Sequence, residues 1–113
     1  MRWLLLFGLL LAACSKGPQA DLPSIGEARS LAAEWALVNE QQANGHVTAI
    51  YAHSMRGRLR QQLETDLTSL THPHSPYGGE VRALLAARDD ASPAELRAHA
   101  RALKQIEDGL ESA

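Results

Sequence analysis

The chain has 113 residues, 45% hydrophobic and 21% charged, with 11 basic and 13 acidic side chains and a net charge of -2. That length allows one small domain with one modest core, and the acidic balance excludes general binding to a phosphate backbone, which needs clustered lysines and arginines. Aromatic residues make up 4% of the chain, too few for base-stacking platforms, so no nucleic-acid partner is expected.

Met1-Arg2 opens the chain with a positive charge, Trp3 to Leu11 follow as an apolar run, and Ala12-Ala13 place small residues before Cys14, the single cysteine. This pattern predicts a cleaved leader over residues 1–13. As a helix, Trp3 to Ala13 would reach only ~16 Å against a hydrocarbon core of ~30 Å, so it is too short to span a bilayer stably. Leu11-Ala12-Ala13-Cys14 resembles the lipobox of bacterial lipoproteins, in which an aliphatic residue, a small residue and Gly, Ala or Ser precede a cysteine. The resemblance implies a diacylglycerol on the Cys14 thiol, cleavage before Cys14, and acylation of the freed amino group. It implies no other cofactor. Two or three acyl chains hold a domain stably at a membrane where one alone binds marginally. Ser15 after the cysteine implies, by the rule of enteric bacteria, an outer-membrane location facing the periplasm. The resemblance covers the first 14 residues and says nothing of the activity of the rest. With Cys14 acylated, no thiol remains for a disulfide, a metal or nucleophilic catalysis.

Residues 14–23 mix Ser, Gly, Gln and two prolines, the composition of a flexible tether, and disorder is expected there. The domain, residues 24–113, then opens on Ser24-Ile25-Gly26-Glu27, a capping-box pattern that predicts the first helix start. Ile25, Ala28, Leu31, Ala32, Trp35 and Val38 recur at helical spacing as its apolar stripe, and Asn44-Gly45 predicts its end. A second helix is expected from about Thr48 to Leu70, with Val47, Tyr51, Met55, Leu59, Leu63 and Leu67 four apart and Ile50 and Leu70 widening the stripe. The short link between them predicts an antiparallel hairpin. Gly57, inside the second helix, marks either a close backbone approach or a tolerated cost of about 1 kcal/mol relative to alanine.

Thr71 to Gly79 is dense in proline and glycine and predicts a loop, with Ser75-Pro76 as N-cap and first residue of a short third helix carrying Val81, Leu84 and Leu85. Ser92-Pro93-Ala94-Glu95 is a second capping box. Leu96, His99, Leu103, Ile106 and Leu110 give the last helix a seam of alternating three- and four-residue steps. Together these predict an all-α fold, a small antiparallel bundle of three to four helices after a leader and tether.

No Gly-x-Ser-x-Gly, Ser-x-x-Lys or phosphate-loop pattern is present, so no catalytic residue is expected and the protein is read as no enzyme. The lead expectation is a lipid-anchored, periplasm-facing binding or assembly component of the envelope. Its protein partner would meet Pro76 and Tyr77 on the irregular loop, or Arg56 and Arg60 within the cluster Arg56-Arg58-Arg60. Tyr77 has an equal alternative, folding its ring over Leu84 to cap the core. The second expectation is a metal or small-ligand binder using His72 and His74, completed by Asp89, Asp90 or His53 only if the fold brings them close, with His99 a further and lesser candidate. His99 itself, on an apolar stripe, is most simply a hydrogen-bonded core or rim residue.

Overall fold

A computed structural model describes residues 17–113; the leader, Cys14 and the first residues of the tether lie outside the described residues. Among the described residues the protein is all-helical, with a short 3-10 turn, Pro18–Asp21, followed by α1 (Leu22–Ala43), α2 (Ala49–Ser69), α3 (Pro76–Leu85) and α4 (Pro93–Glu111). None of these helices is long and apolar enough to cross a membrane.

The helix ends follow local chemistry. At the end of α1 Gly45 has φ 74°, and the His46 and Gly45 amides donate to the carbonyls of Gln41 and Gln42 at 2.8 and 3.0 Å. This is a Schellman cap, which only a residue at ease with positive φ completes cheaply. Thr48, Ser75 and Ser92 each turn a side-chain oxygen to the third amide of the following helix, those of Tyr51, Gly78 and Glu95. Pro76 and Pro93 take the first helical position of α3 and α4, where the missing amide has no intrahelical partner to lose.

Helix α1 is the spine. It packs most extensively against α4 and next against α2, while α3 fills the angle between α2 and α4. Ile25, Ala28, Ala32, Trp35 and Ala36 of α1 are wholly buried, against Ala52, Leu59 and Leu63 of α2, Val81 and Leu84 of α3, and Leu96 and Leu103 of α4. Cross-links step along the antiparallel hairpin from its tip to its base. Asn39 meets Arg56, Trp35 meets Arg60, and Asp21 meets Thr71.

Two expectations are corrected here. Composition predicts disorder through Pro23 and a helix start at Ser24; residues 14–16 lie outside the described residues, but Pro18–Asp21 form a 3-10 turn and α1 starts at Leu22. The cause is Asp21, whose carboxylate makes no helix-capping bond but is buried against the loop after α2. The second correction concerns α2, where Ile50 and Tyr51 are 85% and 51% exposed while Ala52 is buried. Steps of four advance 400°, so a row from Tyr51 to Leu67 winds about 160° round the helix and cannot stay on one face. From Met55 onward the row does face the core: Leu59 and Leu63 are buried, and Met55 and Leu67 partly so.

Gly57 proves to be a tolerated cost, since a Cβ there would meet nothing within 4 Å. Gly78 is the required one: its Cβ would lie 2.1 Å from the Pro73 carbonyl oxygen. Chemical denaturation is therefore expected to show Gly57→Ala more stable than the parent by about 1 kcal/mol, and Gly78→Ala less stable. A neutral Gly78→Ala would contradict the close approach of the loop.

Candidate functional site

Two polar nodes hold the connections of the bundle, and they account for most of the residues that sequence alone put forward for binding. The first lies at the base of the hairpin. Asp21, 1% exposed, accepts from the Thr71 amide at 2.7 Å, the Thr71 hydroxyl at 3.0 Å, the His72 amide at 3.2 Å and the Tyr77 hydroxyl at 2.6 Å. Burial by itself would raise this carboxyl, but the four hydrogen bonds outweigh it and hold the pKa below the ordinary 3.8. The Tyr77 phenol is pushed up, first by burial and then by its bond to Asp21.

The second node fastens the turn between α3 and α4. Arg60 lies over the Trp35 ring, 4.5 Å from its centroid, and donates to Asp89 Oδ1 at 2.8 Å and to the carbonyls of Leu85 and Ala87 at 2.7 and 2.6 Å. The Leu85 carbonyl ends α3 and that of Ala87 lies just past it, so the guanidinium caps a helix while stacking on an indole. Trp35 Nε1 donates to the Asp89 carbonyl, and the Asn39 amide donates to the carbonyls of Asp89 and Ala91. Arg56 donates to Asn39 Oδ1 at 3.1 Å and Gln42 Oε1 at 2.8 Å.

The partner-facing expectations change accordingly. Arg56 and Arg60 are spent on internal bonds, which leaves Arg58 as the exposed member of the cluster. Tyr77 is 4% exposed and joins the same core cluster as Leu84, so of its two readings the structural one holds. Pro76 remains exposed. The histidines separate as well. His72 Nδ1 lies 2.8 Å from the Thr71 hydroxyl and 3.6 Å from Asp21, whereas His99 Nδ1 sits 2.5 Å from Glu80 Oε1 on α3, a hydrogen-bonded rim position. Asp89 and Asp90 belong to the far turn, where they meet Arg60 and Arg88. Among the described residues no group of three or more His, Cys, Asp or Glu side chains is placed to hold a metal.

Beside the Asp21 node the surface opens into a groove of about 330 Å³, lined by Pro18, His72, Ser75, Pro76, Tyr77, Ile106 and Leu110, whose exposed wall is entirely apolar. Helix α1, 22 residues and about 33 Å long, separates this end from the hairpin tip. There Ile50 and Tyr51 stand out in solvent just beyond the Thr48 cap. Sequence patterning assigned both to the core and so missed the tip; the drift of a four-step row was the signal available.

A third feature has no counterpart in any motif. Asp66, 5% exposed on α2, has a carboxylate oxygen with no hydrogen-bond partner among the described residues. Burial, followed by the charge of Glu27 on α1 and a hydrogen bond to it, raises its pKa from 3.8 to about 7. Comparison of the chain with family models, with curated proteins and with solved structures finds no match, so any function must be argued from these features.

The Asp66 proton gives a signed pH dependence. The folded carboxyl holds a proton that the unfolded chain releases above 3.8, so stability is full below that value, falls as pH rises, and levels off above about 7. Asp21, with a lowered pKa, acts with the opposite sign and only below 3.8. Thermal melts are therefore expected to show a higher Tm at pH 5 than at pH 8, a difference that Asp66→Asn removes. A parent Tm that is flat between these two pH values would contradict the buried proton.

Proposed function

We propose that the protein is a lipid-anchored, non-catalytic assembly component of the bacterial envelope, held by Cys14 and facing the periplasm, most simply from the outer membrane. The observation that carries this reading is the polarity of the bundle. Its first helical turn among the described residues starts at Pro18, four residues after the lipobox cysteine. Four residues extend at most ~14 Å, so a lipid on Cys14 would keep the Pro18 end close to the bilayer and direct the hairpin tip away from it. The large apolar side chains that tip exposes, Ile50 and Tyr51, are then the part best placed to meet another envelope protein, since an aromatic and an aliphatic group on a rigid frame make an economical contact.

This reading moves the partner surface from Pro76 and from Tyr77, Arg56 and Arg60, the last three of which the bundle uses for itself, to the other end of the hairpin. Among the described residues no third donor stands with His72 and His74 to hold a metal, so a metal-binding role is not proposed.

Two measurements test it. Cys14→Ser is expected to leave the membrane fraction after signal cleavage, while the parent stays; a processed variant still firmly in the membrane would contradict the anchor. In cross-linked, mild-detergent pull-downs from the native envelope, Ile50→Asp combined with Tyr51→Ser is expected to lose a stoichiometric partner that Arg58→Ala retains. Recovery of that partner by the tip variant would contradict the assignment of the surface.

A further inference from the structure

We infer that the apolar groove at the Pro18 end receives one of the acyl chains carried by Cys14, an inference that rests on the anchor reading above. The groove's walls come from three separate stretches: Pro18 in the 3-10 turn, His72 and Ser75 of the loop with Pro76 and Tyr77 at the start of α3, and Ile106 and Leu110 on α4. Its exposed surface is apolar throughout, although His72 and Ser75 border it; their polar atoms turn to Thr71, to the His72 carbonyl and to the Gly78 amide. A peptide laid there would press its backbone N–H and C=O groups against a wall that offers them nothing. A phosphate headgroup is no better served, because none of the lining side chains is a lysine or arginine. An unbranched hydrocarbon chain has no such requirement.

Size and reach favour the chain's own lipid. At about 30 Å³ for a group the size of water, the groove of about 330 Å³ takes on the order of ten methylenes, the greater part of one acyl chain. Pro18 is itself a wall residue, and Cys14 lies within ~14 Å of it along the chain. Tethering over so short a link gives an effective concentration on the order of millimolar or above, which a free lipid must match. With three chains on Cys14, one in the groove leaves two in the bilayer, which still hold firmly. The consequence is orientation: the end of the bundle is pinned to the membrane surface by a side contact as well as by its tether.

The test uses the lipidated chain, its mass measured first, in perdeuterated detergent, so that the only acyl protons present are its own. Nuclear Overhauser contacts are expected between acyl methylenes and the methyls of Ile106 and Leu110. They are expected to vanish in Pro76→Glu, an exposed wall position outside the core cluster whose charge enters the groove. A lipidated mass with acyl protons that contact no groove methyl overturns the inference while leaving the anchor intact. A mass without lipid overturns both. If Cys14→Ser shows the same contacts in protonated phosphatidylethanolamine vesicles, the groove belongs to bilayer lipid at large and the assignment to the chain's own lipid is overturned.

Discussion

The base of this bundle depends on one buried carboxylate. A charged group taken out of water must be met by donors or it costs several kcal/mol, and Asp21 is met by four, all from Thr71, His72 and Tyr77. That requirement determines the path of two segments at once. The chain before α1 cannot peel away without stranding the donors. The loop after α2 is drawn back over the start of α1, and Tyr77 in turn seats the first turn of α3 in the core. The groove is a by-product of this closure, since Pro18 and the loop form two of its walls while α4 supplies the third.

Trp35, Arg60, Asn39 and Asp89 do the equivalent work for the turn between α3 and α4. A domain of this size with no cysteine past Cys14 has no disulfide to fix its loops. Here buried side chains of the central helix take over the task by holding loop carbonyls. Such bonds specify geometry more than they add stability, because each replaces a bond to water; the apolar interface of α1 with α2 and α4 supplies the driving force.

The local parts of this architecture were legible in the sequence. Ser75-Pro76, Ser92-Pro93 and Thr48 announce helix starts because capping and proline geometry involve only neighbours in the chain, and the α4 seam from Leu96 to Leu110 lies where its spacing puts it. What failed was non-local. Asp21 stands between Pro18 and Pro23 in a stretch with the composition of a tether, and nothing near it reveals donors 50 residues away. Arg56 and Arg60 have the look of solvated charges until α1 packs beside the first and the turn at Asp89 folds back on the second. Asp66 differs in no local way from an exposed helical acid, and only the packing of α1 on α2 buries it. Ile50 and Tyr51 were a different kind of miss, a real periodicity followed one turn too far.

The proposed lipid on Cys14 would join these points into a single arrangement, with the helical turn at Pro18 and an apolar groove at the near end and an apolar pair at the far end. The central claim of that arrangement is therefore the direction in which the bundle stands on the membrane. Paramagnetic relaxation from headgroup-labelled lipid, recorded on amide resonances of the lipidated chain in bicelles, tests this most directly. The arrangement predicts strong broadening at Ser75, Ile106 and Leu110 and none at Gly45, Ile50 and Tyr51. Equal broadening at both ends, or broadening confined to the hairpin tip, would contradict it.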